Sequence, residues 1–231
     1  MPDNFLFEKS GAIATITFNR PERRNCLDEQ VVLEFEGLLH QVRDDAATRV
    51  LIVTGTGTSF CAGADTSALK GVTDVAEQRR IFAQRGRRIP RLIGRAFEVL
   101  ARLDALTIGA INGYAVGGGW SIALAFDFAI AVAGAEFWVP EVDLDVPYRG
   151  APAKMLAARV GPWLAKEIII GCRHFRAEEL LTMGLLNRVV APAELMPAAR
   201  ELAETLAKKP PGAVAPSKRD INAVFLGPRD F

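Results

Sequence analysis

The stretch AINGYAVGGGWSIALAFDF, residues 110–128, places three consecutive glycines, Gly117 to Gly119, directly before an apolar segment. Each glycine in a helix costs about 0.5–1 kcal/mol relative to alanine, so three together indicate a backbone that must approach another group closely. We expect a helix from about Gly119 to Phe126. Because a helix N-terminus presents N–H groups without intrahelical partners, this junction is a candidate anion site.

A second cluster of small residues follows another predicted strand. Residues 50–54 (VLIVT) have the composition of a buried strand, and SFCAGAD at 59–65 comes after its turn. An oxygen that becomes negative during a reaction is stabilised by N–H donors aimed at it from the surrounding backbone. Taken singly, each cluster is consistent with a tight turn. Taken together, they predict a site for a carbonyl oxygen that becomes an enolate or a tetrahedral oxyanion.

Two other chemistries fit parts of the sequence less well. A dinucleotide-binding loop at GTGTSF, residues 55–60, would need glycine where Phe60 stands. A serine hydrolase would use the segment around Ser121 as its nucleophile elbow, followed by an acid and His174. The glycines precede the serine, however, so Ser121 is expected in the first helical turn. The acids available in the right order are Asp143 and Asp145.

Composition limits the classes of partner. A chain of 231 residues, half of them hydrophobic, can bury one core, and its net charge of +1 gives no electrostatic reason to bind nucleic acid. The three cysteines have no metal-ligand spacing, and their odd number favours reduced thiols. No apolar run reaches the length of a membrane span. We therefore expect a cytoplasmic protein without a metal, a nucleic-acid partner or a membrane anchor.

Strands and helices alternate through the first part of the chain, which predicts α/β architecture. We place a core at residues 1–190 and a C-terminal helical extension at 191–231. The periodicities predict a hairpin and then alternating elements, with strands at 5–9, 12–19, 50–54, 108–111, 128–133, 136–139 and 187–190, and helices at 28–45, 75–103, 119–126, 152–160, 162–170, 177–183 and 194–208.

Several motifs occur in an order that is specific to one family. They are RPERRN at 20–25, FCAGAD at 60–65, AINGYAVGGG at 110–119, PEV at 140–142 and LLTMGLLNRVV at 180–190. With these motifs the chain resembles the enoyl-CoA hydratase/isomerase (crotonase) family over nearly its whole length. The resemblance implies a spiral of ββα units, a homotrimer or dimer of trimers, and acyl-CoA thioesters as substrates, with no separate cofactor. It also implies that the terminal helix of many members is incomplete here.

The resemblance assigns roles to particular backbone groups. It implies that the N–H groups of Ala64 and Gly118 form an oxyanion hole for the thioester carbonyl. It further implies that coenzyme A is held by residues on two neighbouring segments, namely Arg24, Ala62, Asp65 and Thr66.

Glu141 is the candidate for proton transfer. It lies in the apolar segment FWVPEV, and burial raises the pKa of a carboxyl group toward the range useful for acid–base catalysis. The local sequence alone is equally consistent with an exposed carboxylate after a proline. The resemblance implies the catalytic role.

Ser121 is where the chain departs from the family pattern, because hydratases with two catalytic glutamates carry the other one at this position. A serine can hold a water molecule or a substrate hydroxyl, so we keep Ser121 as a catalytic candidate. Enoyl-CoA isomerases with one glutamate, hydroxycinnamoyl-CoA hydratase-lyases and a non-catalytic acyl-CoA binding protein all remain compatible with it. A phenol-binding role could not be assigned to Tyr114 or Tyr148.

Two charged features stay open. Asp145 replaces a glycine usual in the family, so it is either a second carboxylate of the site or a solvated loop residue. Seven arginines lie between Arg79 and Arg95. Such a run is usually a solvated helix face, although it could also attract coenzyme A phosphates.

Overall fold

The chain begins with an antiparallel hairpin. In the computed structural model, which describes residues 4–85 and 88–227, strand β1 (Phe5–Ser10) pairs with β2 (Ile13–Phe18). Gly11 between them has φ +58°, a left-handed conformation that suits glycine. The predicted hairpin is confirmed.

A strand–strand–helix unit then repeats, and its two strands enter different sheets. The first strand of each unit joins a six-stranded sheet of order β1-β2-β3-β5-β7-β10, and the second joins a four-stranded sheet of order β4-β6-β8-β9. Neighbouring units pair in parallel in both sheets, so the chain advances as a spiral. The remaining strands are β3 (Val50–Gly55), β4 (Ser59–Cys61), β5 (Leu106–Ile111), β6 (Tyr114–Val116), β7 (Phe128–Val132), β8 (Glu136–Trp138), β9 (Phe175–Arg176) and β10 (Arg188–Val190).

The helices follow the predicted pattern with a few differences. Asp28 caps α1 by accepting a hydrogen bond from Val31 N at 3.0 Å, as expected for an N-cap aspartate. Gly161 has φ +77° and kinks α5, which separates the two helices that the sequence predicted there. The helices are α1 (Glu29–Asp44), α2 (Val75–Arg85), α3 (Arg88–Ala101), α4 (Gly118–Leu124), α5 (Ala151–Gly171), α6 (Ala177–Thr182), α7 (Leu195–Ala207) and α8 (Pro211–Leu226).

Two kinds of element were not predicted from the sequence. Strands β4, β6 and β9 contain only two or three residues each, too few to show a period. No helix was predicted after Lys208, because prolines are concentrated there. The structure has α8, with Pro211 in its first turn, where the missing N–H costs no hydrogen bond.

Helix α4 lies in the centre of the core. All seven of its residues, Gly118–Leu124, are buried. Trp120 packs against Phe137 of β8 and Phe175 of β9, with ring centroids 5.9 and 6.2 Å apart. A helix that is apolar on all sides is expected to be buried in this way. The buried side chains of α4 therefore hold its glycine-rich N-terminus in place.

Helix α8 is tied to the core by a buried ion pair. Lys218 Nζ lies 2.7 Å from Asp127 Oδ2, just beyond the end of α4, and also donates to Ala105 O at 2.8 Å. The side chains of Lys218 and Asp127 are only 6% and 12% exposed. The contact joins residues on both sides of the boundary predicted at residue 190. That boundary stays a prediction. Among the described residues, no helix combines the length and the apolar character that crossing a membrane would require.

We predict that Lys218→Ala lowers the free energy of unfolding by about 3 kcal/mol, because removing one member of a buried ion pair leaves the other charge uncompensated. Urea denaturation measures this. The neighbouring Arg219 pairs with Asp104 on the surface, where the side chains are 49% and 56% exposed. Arg219→Ala should therefore cost at most about 1 kcal/mol. Equal losses in the two variants would contradict this account.

Candidate active site

The first glycine of the triplet lies against a carboxyl group. Gly117 has φ +51° and ψ −113°, a conformation that is strongly unfavourable for residues with a side chain. Its N–H donates to Trp138 O at 2.9 Å. A Cβ at this position would lie 2.5 Å from Glu141 Oε1. Glycine is therefore required both by the backbone conformation and by the approach of the Glu141 side chain.

The other two glycines allow α4 to pack closely on its neighbours. A Cβ at Gly118 would lie 2.7 Å from Ile93 Cδ1, and one at Gly119 would lie 2.1 Å from Cys61 O in β4. A Cβ atom is essentially never found this close to a non-bonded atom, and the backbone oxygen of Cys61 could not move away as the end of the Ile93 side chain could. The approach of backbone or of Glu141 therefore explains Gly117 and Gly119, whereas Gly118 lies against the flexible Ile93 side chain.

The second small-residue cluster meets the start of α4. Gly63 has φ +77°, and a Cβ there would lie 2.4 Å from Val116 O and 3.3 Å from Gly118 N. Ala64 forms a parallel bridge with Leu27 through its neighbours, since Leu27 N donates to Gly63 O and Asp65 N donates to Leu27 O. In a parallel bridge of this kind the N–H of the central residue points away from its partner.

The N–H groups of Ala64 and Gly118 consequently remain available. Across residues 4–85 and 88–227, neither group donates a hydrogen bond. Gly118 is the first residue of α4, where an N–H has no intrahelical acceptor. The family resemblance implied these two donors, and the structure brings their segments into contact.

The RPERRN segment supports this junction. Asn25 is buried in a left-handed conformation with φ +55°, and its amide donates to Thr56 O and Ser59 O at 3.0 and 2.8 Å. The backbone of exposed Arg24 accepts from Ala62 N at 3.0 Å. Asn25 was not singled out from the sequence, although its place in the motif was visible.

The predicted coenzyme A residues lie on these adjoining segments. Arg23 pairs with Asp65 at 2.7 Å, which links the RPERRN segment to the loop that carries Thr66. Burial raises the pKa of Asp65, but hydrogen bonds from Ser67 and the pairing with Arg23 outweigh it and hold that pKa below its usual value. The structure therefore groups the four residues of the predicted site, Arg24, Ala62, Asp65 and Thr66.

Glu141 places a carboxyl group against the glycine triplet. It follows β8 and precedes a short 3-10 turn, Val142–Leu144. Its Oε2 atom is buried and has no hydrogen-bond partner in the part of the chain that the structure describes. Burial raises the pKa of Glu141 to about 7. A carboxyl group with one buried, unpartnered oxygen and a pKa strongly raised by burial marks a candidate functional site.

Ser121 lies one turn into α4 and is paired with a tyrosine. Its Oγ lies 3.1 Å from Gly117 O and 2.9 Å from Tyr148 Oη. Tyr148 could not be given a role from the sequence, because it lies 27 positions from Ser121. The two residues meet only because the fold places the segment after β8, which carries Tyr148, beside α4.

The residues of the hydrolase alternative are not assembled. His174 stacks on Trp138 with ring centroids 4.2 Å apart and lies 3.8 Å from Glu136, whereas the hydrogen-bond partners of the Ser121 hydroxyl are Gly117 and Tyr148. Asp145 is exposed and left-handed, with φ +59°. That conformation explains why glycine is usual at this position and gives no support to Asp145 as a second carboxylate of the site.

Ion pairs account for several members of the arginine run. Arg80 pairs with Glu77 on its own helix, and Arg88 pairs with Glu29. Arg95 pairs with Glu36 at 2.6 Å. The side chains of Arg85 and Arg87 lie outside the described residues. These pairings favour the helix-face interpretation over phosphate binding.

The spiral of ββα units and a glycine-lined helix N-terminus beside a buried carboxyl group define a crotonase-type α/β protein. The profile of the enoyl-CoA hydratase/isomerase family matches residues 8–226. The chain therefore belongs to the enoyl-CoA hydratase/isomerase (crotonase) family.

Individual relatives agree with this assignment. The short-chain-enoyl-CoA hydratase of Clostridium acetobutylicum is 35% identical over 221 residues, which are 95% of this chain and 81% of the relative. The carnitinyl-CoA dehydratase of Escherichia coli is 36% identical over 219 residues, 94% of this chain and 80% of the relative. The crystal structure of an enoyl-CoA hydratase from Bacillus anthracis matches with a TM-score of 0.84 at 32% identity, covering 95% of this chain and 82% of that one.

We predict that Glu141→Gln stabilises the protein in a pH-dependent way. The native carboxyl group keeps its proton up to about pH 7, whereas the unfolded chain releases it near its ordinary pKa of 4.5. The stability of the parent protein therefore falls as the pH rises through this window. The difference in free energy of unfolding between the variant and the parent should therefore rise by about 2–3 kcal/mol from acidic pH to about pH 8. Urea denaturation at both pH values measures the gain, and an identical difference at both would contradict it.

Proposed function

We propose that this protein is an acyl-CoA enzyme in which Glu141 transfers protons at the carbons next to a thioester. The observation that carries the proposal is the buried, unpartnered Oε2 of Glu141 beside the N-terminus of α4. In this proposal the N–H groups of Ala64 and Gly118 donate to the thioester oxygen. Negative charge that develops on that oxygen is stabilised by the two donors and by the positive end of the helix dipole.

Glu141 then acts on the acyl chain. As a carboxylate it takes a proton from the carbon next to the thioester, and as a carboxylic acid it returns one. Its pKa of about 7 keeps both forms populated near neutral pH, which is the condition that favours general acid–base catalysis. Ser121 contributes a hydroxyl group rather than a second base, since a serine hydroxyl remains protonated.

Hydration or dehydration of an enoyl thioester is the reaction we favour. The hydratase of C. acetobutylicum and the dehydratase of E. coli are both named for reactions that add or remove a group at a double bond. Double-bond isomerisation needs only one proton-transfer group and is the second candidate. A hydroxycinnamoyl-CoA hydratase-lyase and a non-catalytic binding protein are the remaining alternatives.

Coenzyme A is proposed as part of the substrate. The exposed Arg24 offers a cation for phosphate, and the backbone around Ala62, Asp65 and Thr66 adjoins it. The pairing of Asp65 with Arg23 keeps this loop against the RPERRN segment. No separate cofactor enters the proposed chemistry.

We also propose a homotrimer or a dimer of trimers. Large apolar side chains are exposed on α5 and α8, and Trp163 is 90% exposed. Exposed apolar side chains of this size are often covered by a partner when they form a patch. The others on these two helices are Ile170, Ile221 and Val224.

We predict that Glu141→Gln slows exchange of the α-protons of a saturated acyl-CoA with solvent deuterium by at least about 100-fold, because the group that moves the proton is lost. Proton NMR in deuterated buffer follows the exchange. Glu136→Gln is the matched control, since Glu136 lies on the same segment but pairs with His174.

Calorimetric titration with the same ester separates binding from chemistry in this experiment. Glu141→Gln should still bind the ester, because the proposed donors to its carbonyl and phosphates are unchanged. Retained exchange in the variant would contradict the role of Glu141. Saturable binding without exchange in the parent protein would favour the non-catalytic alternative.

For the assembly, light scattering after size exclusion should give a mass near three or six times the 25.0 kDa of one chain. Trp163→Glu should shift the protein toward smaller species, because it places a charge on the proposed contact surface. A parent protein that elutes as a monomer at micromolar concentration would refute the trimer.

A further inference from the structure

A phenol and a serine hydroxyl lie together next to the proposed catalytic carboxyl group. Ser121 Oγ and Tyr148 Oη are 2.9 Å apart. Burial raises the pKa of Tyr148 well above its usual range, and the charge of Glu141 raises it further. Tyr148 therefore stays protonated and can donate a hydrogen bond, but it cannot serve as a base at neutral pH.

The hydrogens of this pair can be arranged in two ways. The hydroxyl group of Ser121 has one hydrogen to donate, and the acceptors within reach of its Oγ are Gly117 O at 3.1 Å and Tyr148 Oη. If Ser121 donates to Gly117, then Tyr148 donates to Ser121. If Ser121 donates to Tyr148, then the phenol hydrogen is released for a third oxygen.

Neither arrangement leaves the carbonyl oxygen of Gly117 without a partner, and the second leaves the phenol hydrogen free for an oxygen of a bound ligand. Gly117 O already accepts a hydrogen bond from Ser121 N at 2.8 Å, so it does not depend on the serine hydroxyl. The pair can consequently either accept from or donate to a nearby oxygen without moving any heavy atom. This property suits an oxygen that is a hydroxyl group on one side of a reaction and a water molecule on the other.

Only some acyl-CoA reactions involve such an oxygen. Migration of a double bond moves a proton between two carbons and needs no hydrogen-bond partner beyond the thioester donors. Hydration forms a bond between water oxygen and the β-carbon, one water proton passes to Glu141, and Glu141 returns a proton to the α-carbon. Dehydration reverses each step, and the β-oxygen leaves as water.

We propose that Tyr148, positioned by Ser121, binds the oxygen on the β-carbon of the acyl group and so directs the site toward β-hydroxyacyl thioesters. The inference rests on the proposed function, because it requires the acyl chain to lie between the Ala64 and Gly118 amides and Glu141. It goes beyond that function by naming the residue that discriminates hydration from double-bond migration.

The test compares two reactions of the same protein. Hydration of a series of α,β-unsaturated acyl-CoA esters requires the β-oxygen, whereas α-proton exchange of the matching saturated esters does not. In Tyr148→Phe, which removes only the phenol oxygen, we expect the ratio of the hydration rate to the exchange rate to fall about tenfold, the usual effect of one lost hydrogen bond in the transition state. Tyr114→Phe makes the same change at the other tyrosine of the chain, which is on the surface of β6, and should leave the ratio unchanged.

A second variant tests the pairing. Ser121→Ala should lower the same ratio, and the double variant should lower it by less than the product of the two single effects, because the two hydroxyls act as a unit. Equal losses of hydration and exchange, or no loss of either, would overturn the inference. A parent protein that exchanges α-protons but hydrates none of the esters would also overturn it while leaving the role of Glu141 intact. A parent that exchanges no α-proton would instead refute the proposed function.

Discussion

A carboxyl oxygen of Glu141 occupies the space in which a side chain at position 117 would begin, and much of the site follows from this contact. Strand β6 ends just before Gly117, and β8 ends at Trp138, three residues before Glu141, with Val116 and Trp138 paired in register. The hydrogen bond from Gly117 N to Trp138 O extends that pairing by one step. The parallel spiral therefore delivers the carboxyl group to the start of α4, and glycine at 117 makes room for it.

The same close packing has opposite effects on stability and on chemistry. Burial of Glu141 raises its pKa to about 7, which disfavours the ionised native protein but keeps both protonation states accessible. Unpaired N–H groups and a buried carboxyl oxygen without a partner are each unfavourable alone. Their concentration at one junction is expected of a functional site, where stability is commonly lower than the fold could provide. Burial of the apolar core around α4 offsets these terms.

Sequence reasoning predicted the regular elements well and the contacts between distant segments poorly. The Asp28 cap and the hairpin at Gly11 are local signals, so they could be read directly. The triplet of glycines indicated a close approach, but the neighbours of each glycine depend on sheet order. Tyr148 could not be assigned for the same reason, since only the spiral brings it to Ser121. Helix α8 was missed because proline signals a helix start as readily as a break.

The most direct test of the account concerns the thioester oxygen itself. An acyl-CoA ester labelled with carbon-13 at the thioester carbonyl can be observed by NMR free and bound to the protein. If the N–H groups of Ala64 and Gly118 donate to that oxygen, the bound carbonyl is polarised and its resonance moves downfield, toward that of a carbocation-like carbon. A bound ester whose carbonyl resonance remains at the position it has in water would contradict the central claim that the start of α4 is an oxyanion site.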